Sequence, residues 1–154
     1  MIRTATIADL PGASAIVKRF SDAVGRRFGS EHFIKFWSVI LENDLGAVFL
    51  LEQEGAIQGA IGGLAIPDPY HGGMVASEAF WFVLPEYRGG LGGGRLYKAF
   101  EVWAVERCCE ELQMVHLEAL TPERLEEFYL RRGYEKIETR YSKQLQRCDR
   151  MEAA

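Results

Sequence analysis

The segment Leu84–Tyr97, with the sequence LPEYRGGLGGGRLY, constrains the fold more than any other part of the chain. Five of its six residues from 89 to 94 are glycines, and Arg88 and Arg95 stand on either side of them. Glycine costs about 1 kcal/mol relative to alanine inside a helix, so the cluster needs a structural reason. A long strand-like run precedes it, and an apolar stripe with helical spacing follows it. The sequence therefore predicts bare backbone at a strand-to-helix junction.

Such a junction favours binding of an anion. The first N–H groups of a helix lack intrahelical acceptors, and the helix dipole adds positive potential there. Without side chains, a phosphate can approach several N–H groups at once, and an arginine can add charge. A P-loop is excluded because Arg95-Leu96 stands where Lys-Ser/Thr is required, and the dinucleotide fingerprint fails because Arg95 replaces its third glycine.

Composition restricts the class of protein. The chain has 154 residues, 48% of them hydrophobic and 26% charged, which is typical of one globular domain. Its net charge is −4 and it has no run of lysine or arginine, which argues against a nucleic-acid binder. No apolar run is long enough for a membrane span, and no cysteine has partners at metal-ligand spacing. We therefore expect a cytoplasmic protein without metal, membrane or nucleic-acid partner.

The hydrophobic pattern predicts the element order β-α-α-β-β-β-α-β-α-β in a single domain of residues 1–145, followed by a flexible tail of residues 146–154. The predicted strands cover residues 2–7, 47–53, 56–66, 74–84, 114–120 and 134–145, and the predicted helices cover residues 12–24, 30–43, 92–111 and 122–132.

Two motifs resemble those of the GNAT superfamily of N-acetyltransferases, and the bacterial and phage members are the most similar. The segment VLPEYRGGLGGGRL, residues 83–96, resembles the central family motif V-x-P-x-Y-R-G-x-G-x-G/A-x-x-L and departs from it at Leu91. The segment EEFYLRRGY, residues 126–134, resembles the family signature F-Y-x-x-x-G-F/Y. Together with the element order, the resemblance covers nearly the whole chain.

The resemblance implies an α+β fold with a central mixed, mostly antiparallel sheet flanked by helices, and acetyl-CoA as co-substrate. It implies that the fourth strand separates from its neighbour and offers the backbone of Trp81 and Val83 to the pantetheine arm and the acetyl carbonyl. The expected pyrophosphate site consists of the side chain of Arg88 and the main chain of Gly89, Gly90, Leu91, Gly92, Gly93 and Gly94.

The resemblance also implies catalytic roles. Tyr129 matches the family position that protonates the departing thiolate; the alternative is that it is a core residue of its helix. For the general base, Glu78 is one candidate, because an unpaired carboxylate among apolar strand residues would be costly. Strand alternation predicts that Glu78 shares a face with Phe80 and Phe82. Glu118, beside His116, is the other candidate, and a base acting through water stays open.

The expected reaction is direct acetyl transfer to a primary amine of a small molecule or peptide, because Cys108 has no histidine at a spacing suited to a covalent acyl-enzyme. The acceptor pocket is expected from the first two helices, the turn of residues 25–33 and the loop of residues 67–73. Arg26 and Arg27 in that turn suit either an acidic group or solvent. Alternative hypotheses are a catalytically silent acyl-CoA-binding sensor or scaffold and a structural protein with a glycine hinge. The sequence permits a homodimer without indicating one.

Overall fold

The computed structural model describes residues 1–116 and 122–145. The chain divides into two compact units, Met1–Pro122 and Glu123–Ala154. The strands are β1 (Ile2–Thr4), β2 (Gly46–Gln53), β3 (Ala56–Pro67), β4 (Met74–Val83) and β5 (Glu111–Gln113). The helices are α1 (Leu10–Ala23), α2 (Ser30–Glu42), α3 (Gly92–Glu106) and α4 (Pro122–Leu130).

All five strands form one sheet in the first unit, in the order β1-β2-β3-β4-β5. Neighbouring strands are antiparallel from β1 to β4, and β5 runs parallel to β4. The parallel pair needs a long crossover, which α3 provides. The predicted α+β fold with a mixed, mostly antiparallel sheet is confirmed.

Helices cover both faces of this sheet. The face covered by α1 and α2 carries a core cluster that includes Phe20, Trp37 and Phe80. The face covered by α3 carries a second cluster, which includes Leu96 and Phe100. These last two residues are four apart, so they lie on one side of α3, as its apolar stripe predicts. The central strands are therefore buried on both faces.

A β-bulge interrupts β4 at Ala79. Gly62 on β3 pairs with Phe80, whereas the next residue, Gly63, pairs with Glu78. Two steps along β4 therefore correspond to one step along β3, which leaves Ala79 as the extra residue. A bulge of this kind locally bends a strand and shifts the direction of the side chains beyond it.

This bulge makes the predicted position of Glu78 wrong. Glu78 pairs with Gly63, and a Cβ at Gly63 would point at the ring of Phe100, so both lie on the α3 face. Phe80 and Phe82 instead belong to the cluster under α1 and α2. Simple alternation fails because the extra residue reverses the two faces.

Several predicted boundaries or elements also differ from the structure. Strand β1 ends at Thr4 instead of residue 7. Helix α3 ends at Glu106 instead of residue 111, and Cys108 follows with a left-handed φ of 56°. The strand predicted over residues 114–120 appears earlier, as β5 (Glu111–Gln113); residues 114–116 have no strand, and residues 117–121 lie outside the described chain.

The strand predicted over residues 134–145 is absent, although the structure describes all of these residues. Its apolar side chains are exposed, with Ile137 at 68% and Tyr141 at 92%. A strand needs a hydrogen-bonded neighbour, and the alternating pattern of this segment does not supply one by itself. The predicted tail, residues 146–154, lies outside the described residues.

Candidate active site

The glycine cluster lies at the predicted strand-to-helix junction. After β4, a 3₁₀ turn covers Pro85–Tyr87, and Arg88 returns to extended geometry. Gly89 then adopts a φ of 93°, a left-handed conformation that L side chains rarely adopt. This turn directs the chain into α3, which begins at Gly92.

At the N-terminus of α3, no side chain of the helix satisfies or neutralises the free N–H groups. No side chain caps the helix at Leu91, and its first turn, which the structure describes in full, contains no acidic residue. The N–H of Arg95 donates to the carbonyl oxygen of Leu91 at 2.9 Å, which begins the regular helical pattern. The preceding N–H groups have no acceptor within the helix, so this end attracts an anion.

The departure from the motif at Leu91 has no conformational cost. Leu91 has φ −82° and ψ −3°, which any L-residue adopts, and its side chain is 74% exposed. Gly89, two residues earlier, is the position that needs glycine because of its φ of 93°, whereas a Cβ at Gly92 would lie 2.5 Å from Cδ2 at the end of the Leu51 side chain. A leucine side chain at residue 91 therefore leaves the backbone of the junction unchanged.

Arg88 connects the junction to the end of β4. Its Nε donates to the carbonyl oxygen of Val83 at 2.8 Å, and its guanidinium lies 4.8 Å from the ring centre of Phe82. The N–H of Leu84 donates in the opposite direction, to Gln58 at the start of β3. Because successive residues of a strand direct their peptide groups to opposite edges, the peptide groups of Val83 are directed away from β3.

The ladder between β4 and β5 covers three residue pairs in the described chain, from Val75 to Ser77 on β4. Strand β4 continues to Val83, beyond the end of β5. Directly after the ladder, Oε2 of Glu78 accepts a hydrogen bond from the N–H of Val115 at 2.9 Å. A side chain thus continues the contact between the two segments where the backbone ladder ends.

The carboxyl group of Glu78 titrates near neutrality. Burial raises its pKa to about 7, and the hydrogen bond from Val115 partly offsets that effect. A carboxyl group with such a pKa can accept a proton near pH 7, as a general base does. The same group also links β4 to the segment that follows β5, so its location is compatible with both a catalytic and a structural role.

The other two predicted catalytic residues, Tyr129 and Glu118, do not lie in β4 with Glu78. Tyr129 lies in α4 of the second unit, where its ring centre is 5.3 Å from that of Tyr134. Glu118 lies outside the described residues. His116 has a buried Nε2 with no hydrogen-bond partner among the described residues. It is therefore not a satisfied core histidine, and this observation does not assign it the role of a base.

A pocket of about 260 Å³ lies on the α1/α2 face of the sheet. Phe20 of α1, Trp37 of α2 and Phe80 of β4 form its buried wall, and the exposed Arg26 and Arg27 lie in the turn between the two helices. The first two helices and their turn therefore line a pocket, and its role as the acceptor site stays a prediction.

The loop of residues 67–73 does not line this pocket, although the structure describes the whole loop. It connects β3 to β4, and Pro67 pairs with Met74 at the first residue of β4. Sequence reasoning missed Ala79, the bulge residue, which is exposed and lines the pocket. The isolated Glu78 within an apolar strand was a signal of irregularity at this point.

Among residues 1–116 and 122–145, no group of three or more histidine, cysteine, aspartate or glutamate side chains could hold a metal ion. No helix of that part of the chain combines the length and apolar character required to span a membrane.

A model of the acetyltransferase (GNAT) family matches residues 14–134. The comparison with curated protein sequences gave no significant match.

Solved structures share the fold. A predicted acetyltransferase from Clostridium acetobutylicum, determined with acetyl-CoA, has a TM-score of 0.78 at 16% identity and covers 94% of this chain and 95% of its own. Glucosamine-6-phosphate N-acetyltransferase from Arabidopsis thaliana has a TM-score of 0.75 at 16% identity, covering 95% and 98%. Ribosomal-protein-alanine N-acetyltransferase from Brucella melitensis has a TM-score of 0.70 at 16% identity, covering 94% and 99%.

Proposed function

We propose that this chain, which belongs to the acetyltransferase (GNAT) family, transfers the acetyl group of acetyl-CoA directly to a primary amine of a small molecule. Membership of the family makes it an acyltransferase. The observation that carries the proposal is the uncapped N-terminus of α3 beside bare glycine backbone. Proteins of the same fold are named for amine acceptors of very different size, from glucosamine-6-phosphate to a ribosomal protein.

The proposed cofactor site follows the junction. The diphosphate accepts hydrogen bonds from the main chain of residues 89–94, where Gly89, Gly90 and Gly94 have open space at the Cβ position. Arg88 contributes charge, because its hydrogen bond to Val83 uses Nε and its two terminal nitrogens have no acceptor among the described residues.

The acetyl and pantetheine groups are proposed to lie along the end of β4. The main-chain groups of Trp81 and Val83 bind them there, beyond the residues that β5 pairs with. Main-chain N–H groups in this position also stabilise negative charge on the thioester oxygen, an effect worth about 3 kcal/mol for one donor in acyl-transfer enzymes.

Transfer requires two proton movements. The neutral amine forms a bond to the carbonyl carbon, the carbon–sulfur bond breaks, and the thiolate takes a proton. We assign that proton to Tyr129, by its match to the family signature; with reference pKa values near 8.5 for a thiol and 10 for a phenol, the step is uphill by roughly 2 kcal/mol unless the site adjusts them. We assign the amine proton to Glu78, whose pKa of about 7 suits an acceptor; because Glu78 is on the α3 face and does not line the pocket of the α1/α2 face, the proton passes through water.

Acetyl-CoA titration and thiol release test the proposal. Calorimetry should show acetyl-CoA binding, and incubation with a panel of amines should release free CoA thiol and acetylated product. Absence of binding would refute the proposed cofactor site. Binding without transfer to any amine would instead support the silent sensor.

Replacement of Tyr129 tests the proton donor. We expect Tyr129→Phe to lower kcat about 100-fold, the usual contribution of a general acid, with the Kd for acetyl-CoA unchanged. Tyr134→Phe is the matched control, because its ring lies against that of Tyr129, and it should retain kcat. Equal kcat values for the two variants would remove Tyr129 from this role.

Replacement of Glu78 tests the base. In the parent protein, kcat/KM should rise with pH through about 7 as the Glu78 carboxylate forms, and it should rise further at higher pH as the amine itself loses its proton. Glu78→Gln keeps an oxygen that can accept the N–H of Val115 but cannot take a proton. A pH profile of Glu78→Gln that matches the parent profile would assign the base elsewhere.

A further inference from the structure

The pocket on the α1/α2 face has the size of a small molecule. Its volume is about 260 Å³. Since each water in the liquid occupies about 30 Å³, the pocket holds the volume of roughly nine waters. That volume fits a compact amine with one ring or a short chain.

The wall of the pocket is aromatic. The ring centre of Phe80 lies 5.8 Å from that of Phe33 and 5.3 Å from that of Trp37. Phe28 extends this group, at 5.6 Å from Phe33, and Phe36 lies 5.7 Å from Trp37. All five rings line the pocket, so they offer a continuous apolar surface to the body of a ligand.

The charge of the pocket is positive and uncompensated. Its lining includes Arg26 and Arg27 and contains no carboxylate, although the whole chain has a net charge of −4. Neither arginine has an ion-pair or hydrogen-bonding partner for its guanidinium among the described residues. Nearby cations of α1 are paired in contrast, Lys18 with Asp22 and Arg19 with Glu86.

The pocket also adjoins the proposed acetyl site. The exposed bulge residue Ala79 lines it, and Trp81 lies two residues further along β4, a distance of about 7 Å in a strand. The distance from this pocket to the proposed acetyl group is therefore about the length of one side chain.

Building on the proposed function, we propose that the acceptor is a small amine with an aromatic or apolar body and an anionic group, which Arg26 and Arg27 bind. The guanidinium groups bind a carboxylate or phosphate through paired hydrogen bonds, and the rings enclose the body. A cationic polyamine is disfavoured, because both charged side chains of the lining repel it.

Matched pairs of amines test this assignment. The first pair is L-phenylalanine and L-phenylalaninamide, and the second is 4-(aminomethyl)benzoate and 4-(aminomethyl)benzamide. Each pair shares its body and differs in the carboxylate, and the two pairs differ in the distance between amine and anion. In at least one pair, we expect the carboxylate compound to have a kcat/KM at least tenfold higher than its amide. The kcat/KM of that carboxylate compound should also be higher than that of spermidine.

Variants connect this preference to the pocket. Arg26→Gln and Arg27→Gln, alone and combined, should abolish the tenfold preference and leave the Kd for acetyl-CoA unchanged. The control is Lys35→Gln, which removes an exposed cation of α2 that does not line the pocket and should keep the preference. All three side chains are exposed, so the substitutions should not affect folding.

The outcomes separate the two proposals. If the amides or spermidine match or exceed both carboxylates, or if the double variant keeps the preference, the acceptor assignment is wrong and the transferase proposal stands. If the parent protein does not bind acetyl-CoA, the transferase proposal fails and the acceptor assignment fails with it.

Discussion

At the residue scale, Glu78 combines features that rarely coexist in a strand. Its carboxyl group is buried, its pKa is raised to about 7, and a main-chain N–H from Val115 is its hydrogen-bond donor. Burial without a positive partner disfavours the charged form, and one hydrogen bond restores part of the loss. The stability of the protein should therefore depend on the ionisation of this residue.

We predict that Glu78→Gln changes how stability varies with pH. A group whose pKa rises from 4.5 in the unfolded chain to about 7 in the fold stabilises the fold below pH 4.5, and this contribution is lost as pH rises through 7. The parent should lose this contribution from pH 5 to pH 8, and the variant should not. The free energy of unfolding of the variant minus that of the parent should therefore increase by roughly 2–3 kcal/mol from pH 5 to pH 8. Urea unfolding at both pH values measures this gain, and a difference independent of pH would contradict the raised pKa.

At the scale of elements, the start of α3 favours ligand binding over helix stability. Its first three residues, Gly92, Gly93 and Gly94, are the poorest helix formers apart from proline, and no side chain caps them. A helix selected for stability alone would carry a capping side chain and alanine there. The sequence of the junction therefore indicates that access to the backbone has been retained at a cost in stability.

We predict opposite effects of Gly94→Ala on stability and binding. The added Cβ meets open space, so the free energy of unfolding should rise by up to about 1 kcal/mol. The methyl group would stand beside the N–H groups proposed for the diphosphate, so the Kd for acetyl-CoA should rise about tenfold, or ~1.4 kcal/mol. Denaturation and calorimetry measure the two effects. Glu106→Ala, in the last turn of the same helix, should leave the Kd unchanged, and an unchanged Kd for Gly94→Ala would place the diphosphate elsewhere.

At the scale of the whole molecule, the sheet of the first unit separates two packed cores. Gly62 and Gly63 lie opposite the bulge in β4 and face different cores. A Cβ at Gly62 would lie 2.5 Å from Cζ of Phe80, and a Cβ at Gly63 would lie 2.4 Å from Cζ of Phe100. The glycine pair thus lets one large ring lie close against each face of the sheet.

We predict that Gly63→Ala destabilises the fold by about 1–3 kcal/mol, the usual cost of overpacking. The new Cβ would also lie 2.5 Å from the main-chain oxygen of Ser77, which cannot move without displacing β4. Gly90→Ala is the control, since a Cβ there meets no atom within 4 Å. Urea unfolding of the two variants without ligand should give clearly different midpoints, and equal midpoints would show that the α3 face of the sheet tolerates an extra methyl group.

The resemblance of its motifs to the GNAT superfamily implied the mixed sheet. The sequence by itself determined the element order as far as α4 and the glycine junction before α3. These features depend on neighbours along the chain: the period of apolar residues, the glycine cluster, and the motif around Arg88. Side-chain periodicity and backbone freedom are local properties, so a single sequence is enough to predict them.

Only the tertiary structure decided the direction of Glu78, the bulge at Ala79, the extent of β5 and the absence of a strand over residues 134–145. Each depends on which residues pair across the sheet, and pairing between distant segments leaves no periodic signal in either segment. The pocket beside Arg26 and Arg27 has the same origin, because α1, α2 and β4 build it together. Long-range pairing and packing, which no local pattern encodes, therefore determined the shape of the proposed acceptor site, whereas its two arginines were already visible in the sequence.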